Sequence, residues 1–146
     1  MTGRDIPQFG RPVPGRDHKP RPGAYGVVFD TEGRLLVVEE FARLYLPGGG
    51  LDPGETPEQA LHREFAEETG YTAAIESLIG EAREFVADET PGVSAAFNKH
   101  CYLYAVRLTG APACRRSTAT GRAGSRSRKR WRCSTTRRTA GRCGWR

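Results

Sequence analysis

At 146 residues, 37% hydrophobic and 27% charged, the chain suits one domain built on one core. No apolar run approaches the ~20 residues of a membrane span, and the polar, proline-rich start does not resemble a signal peptide, so the expected compartment is the cytoplasm, away from membranes. The net charge of +6 hides a division: residues 1–110 carry 11 − 17 = −6, while residues 111–146 carry twelve Lys and Arg and no acid.

In chain order, residues 1–22 read as an extended lead-in, 23–110 as the folded domain and 111–146 as a basic, low-complexity tail. Within the domain, Ala24–Asp30 and Arg34–Glu39 read as strands joined by a turn at Thr31-Glu32-Gly33. Leu44-Tyr45-Leu46 is a short strand entering the glycine-rich loop Leu46-Pro47-Gly48-Gly49-Gly50. One helix follows, then strands at Ala73–Ile79 and Glu81–Val86, a loop at Asp88–Gly92, and a long strand from Asn98 to Leu108. The fold class is α/β, a mixed sheet carrying one helix. Cys101, Cys114, Cys133 and Cys143 lack the close pairs of a zinc site and are expected to be plain thiols.

The helix has local signals at both ends. Thr56 is a hydroxyl N-cap, Pro57 suits the first helical position, and Gln59 closes a capping box. Gly70 is a C-cap glycine, so the helix is predicted over 57–69. At 100° per residue Leu61 and Phe65 share a face, flanked by Glu64 and Glu68, with Glu67 further round, so the three carboxylates can converge. Acids beside a buried stripe are costly unless something neutralises them. A hard divalent cation does so, since Mg²⁺ takes a few carboxylates together with water and phosphate oxygens. The competing reading is a solvated acidic face supported by pairs such as Arg63 with Glu67. Such a face needs no glycine loop, whereas bare backbone there can approach a phosphate or offer a carbonyl to a metal.

Read as spacing, the segment is Gly49, five residues, Glu55, seven residues, then Arg63-Glu64-Phe65-Ala66-Glu67-Glu68-Thr69-Gly70-Tyr71. This segment, called the box below, resembles the signature of the Nudix hydrolases, the MutT-like pyrophosphohydrolases, with Tyr71 as the one loose position. The resemblance covers about Gly23 to Leu108. It implies an α/β/α sandwich in which a second helix covers the other face of the sheet. It implies hydrolysis of a nucleoside diphosphate linked to another group, with Mg²⁺, or Mn²⁺, as cofactor. The metal ligands it implies are the Gly49 carbonyl, Glu64, Glu67 and Glu68. Glu64 and Glu67 take catalytic roles, and Glu55, Arg63 and Gly70 are structural. The general base is Glu67 or an acid outside the box, Glu84, Asp88 or Glu89. The nucleotide derivative and the oligomeric state stay open.

Residues 111–146 depart from that pattern. They contain no Leu, Ile, Val, Phe or Met, and Trp131 and Trp145 are the only large apolar side chains. Such a segment is not expected to fold alone, so the second helix is missing or replaced by a disordered basic tail. One reading is a nucleic-acid-binding arm, and nucleic acid is a partner only if the tail is genuine. Another is an RS-like or localisation segment over Gly124–Arg130. A third is coding DNA translated in a shifted frame: reading GC-rich codons one base earlier yields a strand followed by an amphipathic helix.

Outside the box, Arg21, Phe41, Arg43 and Tyr45 are placed where a base or sugar could stack, against a plain surface or sheet role. Lys99 and His100 open the long strand, where a phosphate ligand competes with a structural histidine. Three function classes remain: a hydrolase, which needs the intact carboxylate set present here; a non-catalytic fold of the same type; and a nucleic-acid-binding protein resting on the tail.

Overall fold

The computed structural model describes residues 5–40, 43–87 and 95–110, and the backbone of 130–134. Its elements are β1 (Gln8–Phe9), β2 (His18–Val27), β3 (Leu35–Glu40), β4 (Arg43–Tyr45), β5 (Gly48–Gly50), α1 (Pro57–Glu68), β6 (Thr72–Ala87), β7 (Ala96–Thr109) and β8 (Arg130–Ser134). One sheet has the order β1-β6-β7-β2-β5 and a smaller one the order β4-β3-β8. In the larger sheet β2 runs parallel to β7 and antiparallel to β5, so it is mixed, as expected.

Helix α1 forms where its sequence signals place it. Thr56 has an extended backbone; Gln59 N–H donates to its hydroxyl at 3.3 Å, and Thr56 N–H donates to Gln59 Oε1 at 2.9 Å. At the other end Thr69 donates its N–H (3.0 Å) and hydroxyl (2.7 Å) to Phe65 O, and Gly70 takes φ 73°. Ala60, Leu61 and Phe65 are fully buried against Ala24, Val28, Leu36, Ala73, Tyr104 and Val106. Burial of Leu61 and Phe65 contributes roughly 1.5–3 kcal/mol each. Gly26 permits this seat, since a Cβ there would stand 2.5 Å from the Phe65 ring.

The structure revises four expectations. First, β2 begins at His18 instead of Ala24, so His18–Pro22 of the lead-in belong to the sheet, in register with Ala96–His100. Gly26 N–H donates to Pro47 O, toward β5, so residues 20 and 22 also turn their nitrogens that way. Pro20 and Pro22 therefore cost no bond to β7.

Second, Gly48–Gly50 is a strand, not a loop, paired with Gly23–Tyr25. Gly48, at φ 137°, lies so close to the Ala24 carbonyl that no side chain would fit. Third, the two strands expected around Gly80 are one continuous β6, with register shifts at Ile75/Ser77 and Leu78/Gly80. A glycine in a strand marks an irregularity there, not an end. Fourth, inside the tail expected to be disordered, Arg130–Ser134 pair with β3 as β8. A ladder bonds through backbone groups, so apolar composition is no requirement for it. The remainder of 111–146, where the missing second helix is expected, lies outside the described residues.

Candidate active site

Arg63 organises the box. Its Nε and Nη2 donate to the two oxygens of Glu55, each at 2.8 Å, the paired geometry that suits guanidinium and carboxylate. Nη2 also donates to Gly50 O at 3.0 Å, and Nη1 to Glu64 Oε1 at 2.8 Å. One side chain thus joins the turn, β5 and the helix. The hydrogen bonds from Arg63 hold the Glu55 carboxyl at about 2, and the same bonds raise Arg63 above its ordinary range. Glu55 Oε2 also accepts from Asp52 N–H at 2.8 Å, and Asp52 Oδ2 lies 3.6 Å from Arg63 Nε.

Two carboxylates of the helix lie on the glycine strand. Glu64, with its side chain only 14% exposed, sits against Gly49 where a Cβ would otherwise stand. Glu68 Oε2 accepts from Gly48 N–H at 2.9 Å. Glu67 differs: its side chain is 55% exposed, and its oxygen is 3.9 Å from Arg63 Nη1. Convergence of all three carboxylates is not seen, and among the described residues no group of three acids or other ligating side chains stands ready around one point. The physical reason is the helical phase. Glu64 and Glu68 are one turn apart on the side of β5, while Glu67 points toward solvent. The Gly49 carbonyl faces β2, 3.0 Å from where a Cβ on Gly23 would stand. The Glu64 cradle over Gly49, with Glu68 beside it, nevertheless suits a hard cation, which needs few protein oxygens and completes its shell with water and phosphate.

The other expected residues are dispersed. Arg21 is on β2, with its guanidinium over the Phe97 ring. Arg43 and Tyr45 are exposed on β4 in the smaller sheet. His100 Nε2 lies 2.7 Å from Glu81 Oε2, and its ring stacks on Tyr102 at 4.6 Å. Lys99 is in the ladder between Arg21 and Glu84, and Glu84 is exposed. Phe41, Asp88 and Glu89 lie outside the described residues, as do Cys114 and Cys143. Cys101 is a half-buried free thiol whose pKa burial raises.

Two contributors carry no local sequence signal. Asp52 completes the Arg63 cluster. Tyr104, from the far strand β7, donates its hydroxyl to Glu58 of the first helical turn at 2.7 Å. Burial, then that bond, pushes the phenol up, and the same bond lowers Glu58. A cleft of about 600 Å³ opens among Val28, Asp30, Arg34, Glu76, Arg107 and Leu108, beyond the end of β2, but none of the box acids line it.

A family model described as the NUDIX domain matches residues 19–121. A Bacillus subtilis (strain 168) protein, provisionally assigned as an 8-oxo-dGTP diphosphatase, is 43% identical over 60 residues, 40% of this chain and 40% of its own length. An RNA pyrophosphohydrolase of Aliivibrio fischeri (strain MJ11) is 32% identical over 73 residues, 49% of this chain and 43% of its own. The chain therefore spans about two fifths of these curated relatives. Among solved structures, a NUDIX hydrolase from Nitrosomonas europaea is similar with a TM-score of 0.50 and 27% identity, over 77% of this chain and 72% of that one. The family model matches more than half of the chain and the box geometry stands within that match, so this chain belongs to the Nudix family.

Proposed function

We propose that the protein hydrolyses a pyrophosphate bond in a nucleoside diphosphate linked to another group, with Mg²⁺ or Mn²⁺ as cofactor, and that it does so in the cytoplasm. The carrying observation is the seating of the Glu64 carboxylate directly on the Gly49 backbone, with Glu68 on Gly48. The names of the relatives, a diphosphatase and a pyrophosphohydrolase, support the same reaction class. Among the described residues no helix is long and apolar enough to cross a membrane.

Glu67 faces solvent and the Gly49 carbonyl faces β2, so Glu64 and Glu68, resting on β5, are the groups that would hold the cation. When bound, it would neutralise charge developing on the pyrophosphate oxygens and lower the pKa of a bound water. Arg63 fixes the Glu64 carboxylate, so the ligand is oriented before substrate arrives. Glu55 anchors Arg63 and keeps the turn closed on the helix. Glu67, open to solvent, is the base we assign to take the proton of the attacking water. Gly70 ends the helix at the turn where Glu67 and Glu68 stand.

The test is a panel of nucleoside triphosphates, ADP-ribose, sugar nucleotides, dinucleoside polyphosphates and 5′-triphosphorylated RNA, monitored by phosphate release with and without a phosphatase. At least one member should turn over with Mg²⁺ or Mn²⁺ and none in EDTA. Failure of the whole panel with both metals overturns the proposal.

A further inference from the structure

The two faces of β5 differ. Gly49 stands opposite Ala24, and a Cβ on Gly49 would run into Glu64, so that face belongs to α1. Adjacent residues of a strand point to opposite faces, so Gly48 and Gly50 look the other way. There the atoms nearest a Cβ on Gly50 are Arg21 Nε and Pro22 O, both at 3.8 Å. Arg21 is exposed, and its guanidinium carbon lies 4.9 Å from the centre of the Phe97 ring. The ring covers one face of the cation, and among the described residues no carboxylate is ion-paired with it.

Tyr25 is on the same face, its ring folded over Gly23 so that the hydroxyl stands 3.0 Å from where a Cβ would be. Within its electrostatic reach are Cys101, Arg21, Glu84 and Glu64, with Lys99 between Arg21 and Glu84 in the ladder, and among the described residues its hydroxyl makes no hydrogen bond. A fixed guanidinium with uncommitted N–H groups, beside a phenol donor and a strand without side chains, is a receptor for an oxyanion.

We propose that Arg21, pinned by Phe97 and assisted by the Tyr25 hydroxyl, binds a phosphate group of the substrate across β5 from Glu64. This rests on the hydrolase reading and refines it. The favoured substrates are nucleoside polyphosphates, whose chain extends past the scissile bond, over diphosphates capped by a sugar. Arg21 would be a binding residue, and the attack itself stays with the helix carboxylates. Lysine would retain the charge but lose the planar fork and its stacking on Phe97.

Arg21→Ala, Arg21→Lys, Phe97→Leu and the ring-retaining Phe97→Tyr test the assignment with a nucleoside triphosphate as substrate and inorganic pyrophosphate as binding probe. Arg21→Ala should raise KM roughly tenfold or more and leave kcat within about threefold, the pattern of lost binding shared by ground and transition states. Binding of pyrophosphate in EDTA, followed by calorimetry, should weaken by the same factor, and Arg21→Lys should recover only part of it. An unchanged KM and unchanged pyrophosphate binding in Arg21→Ala overturn the site while hydrolysis by the wild type still stands. Loss of pyrophosphate binding in Arg21→Ala, in a wild type that hydrolyses no nucleotide, would sustain the site and remove the hydrolase reading. Equal weakening by Phe97→Leu and Phe97→Tyr would show that the ring does not hold the guanidinium and would also overturn the assignment.

Discussion

Replacement of Gly49 by alanine separates chemistry from stability. The new Cβ would stand 2.6 Å from the Glu64 carboxyl carbon, against an ordinary contact of 3.4–4 Å. The obstacle is the end of a flexible side chain, so the carboxylate can retreat, and Gly49 has no left-handed backbone that alanine would resist. Stability should therefore hold or rise slightly, because alanine restricts the unfolded chain. Glu64, however, would be shifted by about 1 Å from its place on β5, a misplacement that can cost ~10²-fold in rate, or about 2.7 kcal/mol of barrier. Gly26→Ala is the contrasting control. Its Cβ would meet the Phe65 ring at 2.5 Å, and that ring is fully buried. Overpacking there should cost ~1–3 kcal/mol of stability or more. The assay is kcat/KM with the best substrate of the panel, beside thermal melting of each variant. A Gly49→Ala enzyme within threefold of wild type, or one melting as low as Gly26→Ala, would refute the reasoning.

Glu68→Gln keeps side-chain volume but removes the charge of a proposed metal ligand, so activity at saturating Mg²⁺ should fall ~10²-fold with little change in melting; activity within twofold of wild type would sink the proposed metal role. Glu55 has a folded-state pKa of about 2, below its ordinary 4.5, so its contribution to stability is fully present above pH 4.5 and is lost as pH falls through about 2. Glu55→Gln should accordingly flatten the acid limb of a denaturation curve across that window, and an unaltered limb contradicts the cause assigned to the shift. Tyr104→Phe removes the hydroxyl that holds Glu58 and should cost ~1 kcal/mol in urea unfolding; no measurable change would show that the bond contributes nothing. Exchange of residues 111–146 for the sequence read one base earlier should raise both the melting temperature and the hydrolysis, whereas an uninterrupted coding frame together with full activity of the chain as written would favour a genuine basic arm.

The helix was legible because its signals are local. Thr56, Pro57, Gln59 and Gly70 each act within one turn of themselves, and all four stand where such residues belong. What depended on partners distant in the chain was not legible. The prolines of β2 hide a strand whose missing N–H groups face away from β7. Three consecutive glycines resemble a loop, yet they form a strand because the backbones of Ala24 and Tyr25 and the Glu64 carboxylate approach too closely for side chains. Helical spacing located Glu64, Glu67 and Glu68 on adjoining faces, but not which pair meets β5. Contact of Tyr104 with Glu58 joins residues 46 apart in the chain, and nothing near either announces it.

The grip of Arg63 on Glu55, Gly50 and Glu64 has a consequence for how this stretch can change. A single inserted residue between Thr56 and Arg63 would rotate everything after it by ~100° and swing the guanidinium away from the turn. The two acids resting on β5 would swing with it, so anchor and working groups would fail together. An insertion in the hairpin turn at Thr31–Gly33 carries no such penalty, because loops absorb extra length readily. Turn, bolt and spindle thus behave as one machined part, whose spacing tolerates substitution of its faces far better than any alteration of its length.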